Sequence, residues 1–212
     1  MDKKVNFWEF FQGLGKTFML PVSLLAACGI MLGVGSSFSS SVTAEILPFL
    51  KIPAIKVFFE FMATIGSFAF SNLPIMFAMA IPLGLAKGDK GVAAFSGFVG
   101  FVICSLSINF LLKTTGSLAS ADDMKNAGQS MVMGIQSIDI GVLGGVLIGI
   151  IVAKIHDKFH EIKLPDALAF FGGSRFVPIA TSVIVGVISL LIPFIWPTLN
   201  KGIIGIGNLI GK

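Results

Sequence analysis

Thr17-Phe-Met-Leu-Pro-Val-Ser-Leu-Leu-Ala-Ala-Cys-Gly-Ile-Met-Leu-Gly-Val-Gly-Ser-Ser-Phe38 is the stretch that decides the fold. It lies in an uncharged run that extends from Lys16 to Glu45. A hydrocarbon core of ~30 Å needs roughly 20 apolar residues of helix to cross it. In lipid every backbone N–H and C=O must be bonded within the segment or around a closed barrel. A barrel would alternate polar and apolar residues over short strands, and this run does not. The helix is what remains.

Four further stretches extend the pattern in both composition and length. They run from Phe61 to Ala86, between Lys90 and Lys113, from Ile140 to Ala153, and between Arg175 and Lys201. The expected class is therefore an all-α polytopic membrane protein with about five transmembrane helices and interfacial segments at its two ends. Of the 212 residues 55% are hydrophobic and 12% charged, which is about half the charge of a soluble domain. So few charges cannot cover the surface of a water-soluble fold of this size. Pro74, Pro82, Pro178, Pro193 and Pro197 predict kinks in the second and fifth helices.

Fifteen Lys and Arg against eleven Asp and Glu leave a net charge of +4. The basic residues are scattered between apolar runs, which excludes the clustered footprint of a nucleic-acid binder. A cytoplasmic N-terminus puts Lys3, Lys4, Lys16, Lys87, Lys90, Lys154, Lys158, Lys163 and Arg175 inside. Lys51, Lys56, Lys113, Lys125, Lys201 and Lys212 then fall outside. That is the orientation the positive-inside rule favours. Trp8 and Trp196 fall near span ends, as interfacial aromatics do. Gly116 to Gln136, with Asp122, Asp123 and Lys125, reads as a polar extracytoplasmic connection. Leu25-Ala-Ala-Cys28 looks like a lipoprotein cleavage box, but the apolar run continues through Ile30-Met-Leu32, so the first span is expected to be retained.

Several motifs suggest chemistry without supplying it. Gly13-Leu-Gly-Lys-Thr17 resembles the end of a phosphate-binding loop, yet the earlier glycine the motif requires is Phe10. His156 and His160 share a helix face beside Asp157 and Glu161. A closed metal shell needs more ligands than these neighbours provide, so the expectation is a solvated helix end and no metal. Cys28 and Cys104 sit inside apolar runs and read as small hydrophobes. Asp139 and Glu60 stand at the lips of the fourth and second spans, where water relieves their cost. Gly141, Gly145 and Gly149 form one stripe at helical spacing, and Gly29 with Gly33 a shorter one. Small residues let helices approach closely. These stripes fit either a dimer or gating interface or ordinary packing within the chain. No catalytic constellation is present and no cofactor is expected.

Three strings, taken in order and spacing, resemble one family. They are Phe11-Gln-Gly-Leu-Gly-Lys-Thr-Phe-Met-Leu-Pro-Val22, leading on to Cys28-Gly-Ile-Met-Leu-Gly-Val-Gly35; Ile81-Pro-Leu-Gly-Leu-Ala-Lys-Gly-Asp-Lys-Gly-Val-Ala-Ala-Phe95; and Leu164-Pro-Asp-Ala-Leu-Ala-Phe-Phe-Gly-Gly-Ser-Arg-Phe-Val-Pro-Ile179. Together, from Trp8 to Asn200, they resemble the membrane-spanning IIC domain of the phosphoenolpyruvate-dependent sugar phosphotransferase system, in its glucose–maltose branch. The resemblance implies a bacterial plasma-membrane protein, a dimer of about ten helices per protomer, with the sugar-holding residues in a second half. It also implies a IIB domain that phosphorylates the sugar; Cys28 and Cys104 do not stand in for its cysteine.

On this reading residues 1–16 are an interfacial segment and 17–200 a five-helix scaffold and dimerisation half. Residues 201–212 are an interfacial segment leading to a missing second half. Substrate-binding and catalytic residues are then expected outside this chain. Phe170, Phe171, Gly172, Gly173, Arg175 and Phe176 are expected at the cytoplasmic mouth, facing IIB. The alternative is a truncated, non-transporting membrane module that dimerises with an intact homologue.

Overall fold

The computed structural model describes residues 7–210; Lys3, Lys4 and Lys212 lie outside them. The chain is almost entirely helical. Helix α1 (Phe7–Thr17) leads through Phe18 into α2 (Met19–Ser39), and together they supply an apolar stretch from Phe11 to Ser39. A short helix α3 (Ser41–Ile46) and a 3-10 turn at Pro48–Lys51 reverse the chain into α4 (Pro53–Ser71). Next come α5 (Leu73–Leu85) and the long α6 (Lys90–Thr114). After α7 (Gly141–Phe159), two 3-10 turns lead into α8 (Phe176–Ser189) and α9 (Ile192–Ile210). Three described helical stretches are long and apolar enough to cross a bilayer: Phe11–Ser39, Pro53–Ser71 and Lys90–Thr114. The pair Gly173–Ser189 and Ile192–Asn200, bent by 64°, adds a fourth if it counts as one crossing. Helix α7 has the length, but Lys154, Asp157 and Lys158 charge its last turns. The expected class, an all-α polytopic membrane protein, holds.

The second expected span does not run as one helix from Phe61 to Ala86. It begins at Pro53 and breaks at Asn72. Pro74 has no N–H to donate to the preceding turn, and the Asn72 side-chain amide donates to the Phe68 carbonyl at 2.9 Å, closing α4. Because α4 starts early, Glu60 lies inside the helix rather than at a lip, exposed and 3.6 Å from Lys56 one turn before it. The kink expected in the fifth span is the 64° bend, located just before Pro193.

The break divides the packing. Helices α2 and α4 run antiparallel against each other, and the residues they bury are small: Cys28, Gly35, Gly66 and Ala69, besides Pro21. A Cβ at Gly35 would lie 2.7 Å from the Phe59 carbonyl oxygen, and one at Gly66 2.7 Å from that of Cys28. Elsewhere α5, α6, α7 and α8 enclose the core, around Phe101, Cys104, Ile108, Ile148, Val152 and Val185. Both cysteines are buried and free, as small hydrophobes are.

The polar connection after α6 holds an antiparallel hairpin that the apolar periodicity did not announce. Strand β1 (Gln129–Val132) pairs with β2 (Ile135–Ile138) in the register Gln129↔Ile138 and Val132↔Ile135. Met133 and Gly134 both take positive φ, 52° and 79°, as a two-residue hairpin turn of this hand requires. Asn109 of α6 donates to the Gln136 carbonyl at 2.7 Å and ties the hairpin down. Trp196 is buried, and its Nε1 donates to the Asp139 carbonyl at 3.1 Å.

Candidate functional site at the basic end of the bundle

The end of α5, the start of α6, the end of α7 and the turns before α8 meet at one end of the bundle. This end gathers Lys87, Lys90, Lys158, Lys163 and Arg175, which lie far apart in the chain. Acidic side chains hold the loops together. Asp157 accepts the Lys87 backbone N–H at 3.1 Å. Asp89, at the N-terminus of α6 with φ 38°, does not cap its own helix but accepts the Ser174 hydroxyl. The Gly173 N–H donates to the Ile162 carbonyl at 2.8 Å. Gly173 has φ 63°, a conformation an L side chain rarely adopts. That geometry explains why a glycine occupies this position.

The residues expected at the mouth all fall in this region, on the turns before α8 and at its first residue. Phe170 and Phe171 are exposed and contact each other edge to face, with ring centroids 5.3 Å apart. The Arg175 guanidinium lies over the Phe170 ring at 5.0 Å and donates to the Phe170 carbonyl at 3.2 Å. Phe176 packs on Phe159 of α7, centroids 5.8 Å apart. Gly172 closes the 3-10 turn by donating to the Ala169 carbonyl. The loop therefore presents two aromatic rings and a cation on a rigid base. Among the described residues no group of His, Cys, Asp and Glu is arranged to hold a metal.

One expectation here is corrected. His156 is not on a solvated helix end but fully buried, stacked on His160 at 5.0 Å with the rings 10° apart. The α5–α6 loop and the Gly172–Arg175 turn cover the end of α7, which periodicity on α7 alone could not reveal. Asp89 and Ser174 were missed altogether; an Asp just before a helical run was the available signal, but its partner lies 85 residues away.

The glycine stripes separate on inspection. Gly145 and Gly149 face α5 within the chain: a Cβ at Gly145 would lie 2.8 Å from the Pro74 carbonyl carbon, and one at Gly149 2.9 Å from Ile81 Cβ. Gly141, with φ 52°, serves the turn into α7 and makes no tight contact. A Cβ at Gly29 would meet only Phe70, at 3.6 Å, and one at Gly33 nothing within 4 Å. Gly13-Leu-Gly-Lys-Thr17 is helical, with the Thr17 hydroxyl donating to the Leu14 carbonyl at 2.7 Å, so it forms no phosphate-binding loop.

Asp157→Ala should remove the side-chain anchor of the Lys87 amide. Hydrogen exchange over residues 87–90 is expected to accelerate about tenfold, the equivalent of one charged hydrogen bond. Unchanged exchange there would refute the anchoring role.

The family described as "Phosphotransferase system, EIIC" matches residues 15–212. The chain belongs to the phosphotransferase-system EIIC family. This EIIC chain is 54% identical over 211 residues to the PTS system maltose-specific EIICB component of Escherichia coli (strain K12), covering 99% of the chain and 40% of that protein. It is 37% identical over 217 residues to the PTS system glucoside-specific EIICBA component of Staphylococcus carnosus (strain TM300), covering 98% of the chain and 31% of that protein. The EIIC chain thus spans 40% or less of these relatives. Family and apolar helices together make it a bacterial membrane protein with several spans.

Proposed function

We propose that this chain is the scaffold half of a maltose- or glucose-type EIIC permease, taking part in sugar uptake coupled to phosphoenolpyruvate-dependent phosphorylation. The observation that carries the proposal is the match to the maltose-specific EIICB component along nearly the whole chain. Domain limits follow the same reading: an interfacial segment over 1–16, the scaffold over 17–200, and a segment over 201–212 that leads to the sugar-holding half. The tight α5–α7 contact at Gly145 and Gly149 supports it physically, because alternating access needs one bundle that stays rigid while another moves.

The basic end faces the cytoplasm, in keeping with the positive-inside rule. Phe170, Phe171 and Arg175 line the cytoplasmic mouth and meet a IIB domain. The exposed rings and a cation on a rigid turn have the make-up of an interface anchor. Dimerisation is expected through faces of this half, where Gly33 leaves an open helix surface.

Two measurements test the reading. A cysteine at position 175 should react with an impermeant thiol reagent from the cytoplasmic side; reaction only from the other side rejects the orientation. Co-expression with a polypeptide supplying the remainder of an EIICB protein should restore sugar phosphorylation at the expense of phosphoenolpyruvate. If no phosphorylation follows, and the chain instead lowers uptake by an intact homologue, the non-transporting module is the better account.

A further inference from the structure

Between α7 and the 64° bend of α8 into α9 lies a groove of about 220 Å³. Every residue that lines it is apolar. Ile140, Gly144, Leu147 and Ile151 recur about once per turn and form one wall along α7. Leu191, Ile195 and Leu199 stand in the facing wall; they and Leu147 are exposed, so the groove is open along its side. From Ile140 to Ile151 it follows about 16 Å of helix, at 1.5 Å per residue. That is close to half of a ~30 Å hydrocarbon core, the depth of one leaflet. The groove starts at the end of α7 remote from the basic residues, where the hairpin connection finishes.

At that end it runs into a second, polar cleft of about 370 Å³, and Ile140 and Trp196 line both. Asp139 and Asn200 supply the polar side chains of this cleft, and both are exposed. One Asp139 carboxylate oxygen accepts the Gly141 N–H at 3.0 Å; the other has no partner among the described residues. The Asn200 carboxamide also has no partner among them. A carboxylate and an amide donor thus stand at the mouth of an apolar groove one leaflet deep. This pairing matches a zwitterionic lipid whose ammonium donates to the carboxylate and whose phosphate accepts from the amide. A choline head has no N–H to donate, and a phosphoglycerol head brings a negative charge to Asp139 with nothing to offset it.

We infer that α7 and the α8–α9 bend hold one phosphatidylethanolamine molecule, with an acyl chain in the groove and its head group at Asp139 and Asn200. The site lies in the leaflet opposite the basic end, and it stands whether or not the permease reading does. In hydrocarbon an acyl chain gains little by exchanging lipid neighbours for leucine and isoleucine. Selection therefore falls to the head group, and an exposed ion pair supplies a few-fold preference rather than a large one.

Trp196 reports on the site, since it lines the groove and the only other tryptophan is Trp8. The test places the full chain, carrying Trp8→Phe, in nanodiscs of phosphatidylglycerol that contain a minor share of one lipid with brominated acyl chains. Bromine quenches indole emission on contact. Brominated phosphatidylethanolamine is expected to quench about threefold more strongly, mole for mole, than brominated phosphatidylcholine or phosphatidylglycerol. Asp139→Asn keeps an acceptor for the Gly141 N–H and should bring the lipids level. Asn200→Ala should reduce the preference, and it carries the comparison if Asp139→Asn lowers the melting temperature. Equal quenching by all the lipids in the parent chain, or a preference that survives both substitutions, would overturn the inference. So would two results that name a different occupant. Quenching that fades as more chains share a disc points to a second copy, and quenching lost when the remainder of an EIICB protein is supplied points to that polypeptide.

Discussion

Gly145→Ala is expected to lower the melting temperature of the detergent-solubilised chain and to broaden its size-exclusion peak, whereas Gly33→Ala leaves both unchanged. Helix α7 crosses α5 where Gly145 meets Pro74, and an added Cβ there would have to displace main-chain atoms of Pro74 rather than a flexible side-chain tip. Overpacking against unyielding backbone costs about 1–3 kcal/mol. In lipid no solvent-driven term compensates, because close packing is itself the main attraction between helices. Gly66→Ala presses on the α2–α4 pair in the same way, against Leu32 and the Cys28 carbonyl. The two sites share no partner, so the losses should add in the double variant. Gly33 has open space, so an added methyl there displaces nothing. A Gly145→Ala chain that melts with the parent would refute the packing derived for α5 and α7.

His156→Leu is expected to raise the melting temperature. The imidazole is fully buried, and neither ring nitrogen has a hydrogen-bond partner among the described residues. Asp157 stands 3.7 Å from Nδ1, too far for a hydrogen bond, and its Oδ1 already accepts the Lys87 N–H. A buried polar atom left without a bond costs about 1–3 kcal/mol, and an apolar side chain of similar size removes that penalty. Only the stacking on His160 is lost. A lower melting temperature for His156→Leu would show that the ring makes a bond in the folded protein after all. His156→Ala separates the effects, since it removes the polar atoms but leaves a cavity and should destabilise. If His156→Leu gains stability while the complemented protein loses phosphorylation, the unsatisfied imidazole is retained for sugar transfer rather than for folding. That outcome would match the general trade of stability for function.

Some of this was legible in the residues. The first span is present as quoted, because a long uncharged run has no alternative to helix in lipid. The burial of Cys28 and Cys104 followed from their apolar surroundings. Phe170 to Arg175 form one connected turn leading into Phe176 at the start of α8, because they are neighbours in sequence. The second span is two helices, broken beside Pro74, where a kink was expected; its earlier start at Pro53 and the break at Asn72 are not registered by hydropathy. The glycine stripes divided because helical spacing shows which residues share a face, not what stands opposite. Gly145 meets Pro74 and Gly33 meets nothing, although their sequence contexts look alike.

What composition and charge pattern settled alone is the solvent: a chain with this much apolar length and this little charge must satisfy its backbone as helices in a bilayer. What only the tertiary structure decided is where its polar groups come together. Asp89 meets Ser174 and Asn72 shares a cleft with Asp139 through folding of the whole bundle. The physical reason is range: backbone hydrogen bonding in lipid is satisfied within each segment, so it can be read locally. Contacts between segments depend on the shapes of both partners, and no single stretch of sequence carries that information.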